Sequence, residues 1–274
     1  MELYHAIVLG IVQGATEFLP ISSSGHLVLL QALFGMKEPE IFFDIAVHLG
    51  TLLAVCVFYC KDLKEIIVAL FSKTTWRAGK GGILARFSKT PELRLLWLIV
   101  VGTIPTVLFG LAFRPIAETL FSSIRLVGLM LLITGILLWM TRRVRAKGRK
   151  VGELTVWDGL CVGIIQGLAI LPGISRSGAT IAIGLFRKID RETAARYSFL
   201  LSIPAILGAV VLELAGMQGP ISPHLGPILS GACIAGIVGY VALKVLIHFV
   251  KRGNLHIFAP YCWLLGLIAI MCSL

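Results

Sequence analysis

Charge is what this chain has least of. Asp, Glu, Lys and Arg together make up 14% of its 274 residues, against about 25% in soluble domains, too few to wet the surface of a soluble globule. The period-two alternation that a transmembrane β-barrel needs is also missing. The six cysteines show no paired metal-type spacing, so they read as small apolar residues and imply no disulfide or metal framework. No secretory leader is recognisable: Glu2 and His5 stand where Lys or Arg would open one, and no cleavage site follows. The first apolar segment is therefore expected to remain in the mature chain. What the sequence does have is apolar mass, 57% of it hydrophobic. Charge-free runs such as 95–113 and 253–274 can cross a hydrocarbon core, which needs about 20 helical residues. The expected fold class is an all-α polytopic membrane protein.

A net charge of +11 would suggest nucleic acid as a partner in a soluble protein. Here 21 of the 25 basic residues fall in four blocks, at 61–94, 142–150, 187–196 and 244–252, with no aromatic interleaving and no nucleic-acid motif. The positive-inside rule accounts for them as cytoplasmic loops, so membrane lipids and not nucleic acid are the expected surroundings. With every block inside, 41–60, 95–113, 126–140, 197–215, 228–250 and 255–273 form six consistent crossings, and 114–125 and 216–227 lie outside. Segments 3–36 and 154–186 do not fit as plain spans. Each is broken in its middle by Pro, Gly and Ser, and 154–186 must return to the side it started from. Both read as re-entrant helix-loop-helix hairpins, which implies a polar site inside the bundle that satisfies the broken backbone.

The chain repeats itself. At a constant offset of 153 residues, Ile11-Val12-Gln13-Gly14 aligns with Ile164-Ile165-Gln166-Gly167, and Ile21-Ser22-Ser23-Ser24-Gly25 with Ile174-Ser175-Arg176-Ser177-Gly178. One membrane domain, 1–274, is thus expected to hold a first unit at 1–140, a basic cytoplasmic linker at 141–152 and a second unit at 153–274. Each unit is one hairpin plus three transmembrane helices, and the odd number of crossings turns the second upside down, giving an inverted-topology repeat.

Chemistry concentrates in the two hairpins. Gln13 and Glu17 share one face of the incoming half-helix, and Pro20 ends it. Serines then stand where a new helix, 27–34, is expected to begin, where hydroxyls cap free N–H groups. Pro172-Gly173-Ile174-Ser175-Arg176-Ser177-Gly178-Ala179-Thr180 repeats the pattern. Two helix N-termini facing one cavity suit an anion, and Arg176 adds a planar fork suited to phosphate. Glu17 and Arg176 at membrane depth cost at least about 2.5–3.5 kcal/mol each on insertion scales, which argues for function over packing. His26 suits proton transfer or a phosphate contact. Asp44 and His48, four apart, read as cavity-lining with Gln13 and Gln166, a plain interfacial role being equally open for the first pair. Asp158 and Glu153 read as helix-start residues beside a basic loop. An inverted repeat with broken helices is also the architecture of secondary transporters, so carriage of a lipid phosphate or small anion stands as the alternative to hydrolysis.

The runs QGATEFLPISSSGH and PGISRSGAT resemble the two signature motifs of the bacterial undecaprenyl-diphosphate phosphatase (bacitracin-resistance) family, and the likeness in length, loops and repeat extends along essentially the whole chain. The resemblance implies removal of the terminal phosphate from a polyprenyl diphosphate lipid, returning the carrier lipid to cell-wall synthesis. By position it implies Glu17, Ser23, His26 and Arg176 as catalytic, with Ser22, Ser24, Ser175, Ser177 and Thr180 around the phosphates; Gly25 and Gly178 count among the phosphate-binding positions. It favours a divalent cation, Mg²⁺ or Ca²⁺, for which Glu17 is the expected ligand, and a bacterial plasma-membrane location with the site open to the periplasmic or extracellular side. Many members have glutamate where this chain has Gln13, which weakens any mechanism needing two carboxylates there. A homodimer is a further partner this reading allows. The nucleophile stays open between Ser23, His26 and water.

Overall fold

The computed structural model describes residues 2–35, 41–72, 87, 90–144, 147–216 and 225–273, and among these it is helical throughout with no strand. The helices are α1 (Leu3–Phe18), α2 (Ser23–Leu33), α3 (Ile41–Phe58), α4 (Cys60–Phe71), α5 (Pro91–Phe113), α6 (Ala117–Ser122), α7 (Ile124–Met140), α8 (Val156–Leu168), α9 (Arg176–Phe186), α10 (Arg191–Gly216), α11 (Leu225–Arg252) and α12 (Ala259–Cys272). Five helical stretches are long and apolar enough to cross a membrane, and a sixth is added if α3 and α4 count as one span bent by 72°. The chain is an all-α protein built for multiple membrane passes. Large apolar side chains on its outer face, such as Leu53, Ile104, Leu108, Val211, Ile237 and Leu264, are exposed as a lipid-facing surface requires.

The six expected crossings correspond to these helices, with differences at their ends. Helix α5 starts at Pro91 because Thr90 caps it, accepting the Leu93 N–H at 3.3 Å, and α10 starts at Arg191, inside the basic block. The stretch expected to be a basic loop from residue 61 instead opens with α4; most of 73–89, and 217–224 of the second expected outer loop, lie outside the described residues. Helix α2 begins four residues earlier than expected. Ser22 caps it from the left-handed region (φ 68), so Ser23 and Ser24 form its first turn.

The breaks are where expected. Helix α1 ends at Phe18, two residues before Pro20, and α8 ends at Leu168, ahead of the Pro172-Gly173 turn. Glycine allows the first helix of each pair to lie almost backbone to backbone against a long helix. A Cβ at Gly10 would stand 2.6 Å from the Gly231 carbonyl oxygen on α11, and one at Gly163 would stand 2.2 Å from that of Gly102 on α5. Residues 10 and 163 are related by the same offset as the motifs.

At the end of the bundle rich in basic residues, Thr155 and Asp158 form the capping box of α8. The fully buried Asp158 carboxylate also accepts both Nη groups of Arg149 (2.7 and 2.8 Å) and Nε of Arg187 (2.7 Å). Asp158 is thus the helix-start residue expected, and in addition it ties the linker before α8 to the turn after α9.

Candidate active site

The two breaks meet. Arg176, the first residue of α9, donates from Nη2 to Oε1 of Glu17 on the last turn of α1. Ser177 donates from Oγ to the Phe18 carbonyl at 2.9 Å, and the Gly173 N–H donates to Ser22 Oγ at 3.1 Å. A third helix staples the second break: Thr134 of α7 accepts the Ser175 N–H at 3.1 Å and donates to the Gly173 carbonyl at 2.9 Å. Residues far apart in sequence are therefore held together by hydrogen bonds that satisfy the broken backbone.

Glu17 is the hub. Its Oε2 accepts the Ser23 hydroxyl at 2.6 Å and the Gln13 amide at 3.1 Å, and His48 Nε2 lies 4.0 Å from it. Glu17 is 7% exposed and Gln13 0%. Two buried polar atoms here have no hydrogen-bond partner among the described residues, Arg176 Nη1 and Gln13 Oε1. An unpaired donor on a buried guanidinium and an unpaired acceptor beside a carboxylate are costly to leave empty, so this is where a ligand gains most.

The serines divide into cappers and candidates. Ser22 and Ser175, one offset apart, each cap a helix, accepting the N–H of Gly25 (3.3 Å) and Gly178 (3.1 Å) respectively. Those two N–H groups, at positions expected to bind phosphate, are thus already partnered by the capping hydroxyls. Ser24 Oγ lies 3.4 Å from Ser22 Oγ, and Ser177 Oγ lies 3.2 Å from Ser175 Oγ. Thr180 donates to the Arg176 carbonyl at 2.7 Å and sits 2.5 Å from Ser198 Oγ, a residue that sequence reasoning did not single out.

The other expected residues are placed as follows. His26 lies on the first turns of α2, but its ring nitrogens go to the Ser22 carbonyl (2.7 Å) and the Tyr261 hydroxyl (2.6 Å), not to Glu17 or Ser23. His48 is nearer to Glu17 than expected of a lining residue, and its Nδ1 is tied to the Asp44 carbonyl at 2.7 Å. Asp44 accepts from Gln31 at 3.3 Å. Gln166 donates to Thr106 and to the Leu201 carbonyl, both at 3.3 Å, apart from the Glu17 hub.

This arrangement, a hydroxyl on a carboxylate beside a half-paired arginine, suits phosphoryl chemistry. Comparison with known proteins decides the family: residues 6–268 match the family described as Bacitracin resistance protein BacA. The chain belongs to this family. Among its curated relatives, undecaprenyl-diphosphatase of Desulfosudis oleivorans is 51% identical over 268 residues, covering 97% of each chain. That of Desulfatibacillum aliphaticivorans is 48% identical over 267 residues, again 97% of both. The relative of the same name from Desulforapulum autotrophicum is 48% identical over 272 residues, 99% of this chain and 98% of its own. The family match takes in both breaks and Tyr261, so every residue of the hub lies within it.

The donors at the hub are compatible with a hard divalent cation. Among the described residues no group of three or more His, Cys, Asp or Glu side chains could hold one, but Glu17 and the unpaired Gln13 Oε1 are oxygen donors of the kind Mg²⁺ and Ca²⁺ prefer. The remaining ligands would have to come from substrate phosphates and water.

Proposed function

We propose that this chain hydrolyses the terminal phosphate of undecaprenyl diphosphate, giving undecaprenyl phosphate and inorganic phosphate and so recycling the carrier lipid for cell-wall synthesis. The activity is the one its relatives are named for, over nearly their full length. The observation that carries the reading is the hub: Ser23 on Glu17, and Glu17 on an arginine with one buried Nη left unpaired.

The mechanism follows from that pairing. Arg176 neutralises Glu17 in the resting site, which makes the carboxylate a weak base. A terminal phosphate competes for the same guanidinium, first through the unpaired Nη1. As it draws Arg176 away, Glu17 is left with Ser23 and becomes a better base. Ser23 Oγ then attacks the terminal phosphorus, its proton passes to Glu17, and the bond to the bridging oxygen breaks to release the lipid monophosphate. Water attacks the phosphoserine, yielding phosphate and restoring the serine hydroxyl, with His26 serving proton transfer at the first turns of α2. Ser22, Ser24, Ser175, Ser177, Gly25, Gly178 and Thr180 shape the cradle. A divalent cation, if bound, would be held by Glu17 with Gln13 Oε1 beside it and would supply further charge neutralisation to the phosphates, leaving Glu17 to act as a ligand more than as a base.

The framework we propose is an inverted repeat, 1–140 and 153–274 about the linker 141–152, with α1–α2 and α8–α9 as re-entrant hairpins. The exchange of partners supports it: α1 packs on α11 and α8 on α5, α3 on α11 and α10 on α5, while α7 and α12 pair with each other. Each contact maps onto its partner when the two units are swapped. In this reading the protein lies in the bacterial plasma membrane with its basic loops cytoplasmic and its site open to the outer side, and a homodimer is compatible with the arrangement.

The test is phosphate release from undecaprenyl diphosphate by the purified chain in detergent. Arg176→Ala should lower it by at least about 100-fold, the scale of losing a transition-state charge stabiliser, and a strong chelator should suppress it in the parent protein. No release from a demonstrably folded protein would overturn the function; release undiminished by chelator would remove only the cation.

A further inference from the structure

The His26 ring is held from two sides. Its Nδ1 lies 2.7 Å from the Ser22 carbonyl, which can only accept, so Nδ1 carries the hydrogen. In the neutral ring Nε2 is then the acceptor, and the Tyr261 hydroxyl, 2.6 Å away, donates to it. The two ring planes are parallel to within 1°, and Nε2 holds its lone pair in the plane of its own ring. If the ring gains a proton the contact survives reversed, Nε2–H donating to the tyrosine oxygen while Nδ1–H keeps Ser22. Both protonation states are thus fully partnered without a change of rotamer.

Tyr261 comes from α12, the last helix of the chain, and its neighbour reaches the same break. Cys262, fully buried, directs its thiol at the Pro20 carbonyl at 3.6 Å. The pair therefore holds the first hairpin on either side of Ser22, whose backbone sits in the left-handed region that a side-chain-bearing residue rarely adopts. Thus α12 braces a strained break and fixes the imidazole that follows it.

We propose that Tyr261 is a positioning residue for the phosphatase reaction: through its hydroxyl, α12 sets the orientation of the His26 ring, whose tautomer the Ser22 carbonyl fixes. This rests on the role given to His26 under Proposed function. Tyr261 itself need touch neither phosphate nor nucleophile.

A double-mutant cycle on the full-length protein tests it, with undecaprenyl diphosphate as substrate, phosphate release as readout and thermal unfolding of each variant as the control for folding. His26→Ala should lose at least about 100-fold in kcat, as expected on removing a proton-transfer group. Tyr261→Phe, which keeps the ring and removes only the hydroxyl, should lose about three- to tenfold in kcat, the scale of one hydrogen bond, with KM within about twofold of the parent. Tyr261→Phe made in the His26→Ala background should cost nothing further. Equal losses in both backgrounds would make Tyr261 a packing residue and overturn the proposal, as would an undiminished Tyr261→Phe. Parental activity in His26→Ala would overturn both the role of His26 and this inference, while Arg176→Ala still judges the phosphatase reading on its own. Nitrogen chemical shifts of labelled histidine, assigned against His26→Ala, read the geometry independently of turnover. A protonated Nδ1 and an accepting Nε2 that responds to Tyr261→Phe are expected, and the opposite tautomer would overturn the proposal.

Discussion

Glu17 binds a guanidinium, a hydroxyl and an amide at once, and that crowding is informative about how the site works. A carboxylate so fully partnered is stable buried but idle, so its chemistry has to wait for something to take a partner away. Ser23 is the partner with most to do once that happens. If it is the nucleophile, Ser23→Ala should lower phosphate release by at least about 100-fold, as loss of covalent catalysis does. Turnover within a few-fold of the parent would reassign attack to water or His26. Glu17 and Arg176 stand out in the sequence because a charge inside an apolar run has few structural excuses, whereas the uncharged Ser23 was singled out only by the family resemblance. Tyr261 was not, since a tyrosine near the start of a membrane helix looks like any interfacial aromatic, and only the folded chain brings residue 261 beside residue 26. His48 gave a partial signal, through its four-residue spacing from Asp44 at the head of α3.

At the scale of the element, the helices were readable and their exact ends were not. Apolar runs report how much chain the hydrocarbon can hold, but caps decide where a helix stops, and caps here are single side chains such as Thr90, Ser22 and Thr155. Helix α4 was missed because its amphipathic pattern lies within a stretch dominated by basic residues, where the charge argument spoke louder. The glycines of the hairpin helices make a sharper claim. Gly163→Leu forces a side chain into the Gly102 backbone, and overpacking of this kind should destabilise by about 1–3 kcal/mol, whereas Gly152→Ala, with nothing within 4 Å, should leave the unfolding temperature unchanged. Thermal melting of the purified proteins decides it, and equal stability of the two variants would contradict the close crossing.

For the molecule as a whole, the question is which side the hub faces. The two hairpins are proposed to enter from opposite sides, so their geometry alone does not orient the site, and the basic blocks provide the reference instead. A membrane-impermeant thiol reagent applied to intact cells should label a cysteine placed near Ser24 in a chain with its own cysteines replaced. Labelling only after the cytoplasmic side is opened would reverse the proposed orientation. The offset of 153 residues is legible in the sequence, because a repeat is a statement about sequence, and the two equivalent halves it suggests remain the proposed framework. Which half packs on which was not visible there, since equivalence says nothing about partnership.

That partnership has a consequence for how the chain comes into being. Helix α1 rests its Gly10 face on α11, which lies more than 200 residues further along the chain, so α1 leaves the ribosome well before the neighbour it packs on. Through most of translation its small-residue seam must lie against lipid or a borrowed helix. Its counterpart α8 emerges with α5 already made. The two proposed halves are therefore unlike in biogenesis: the second can dock on synthesis, and the first must be kept waiting.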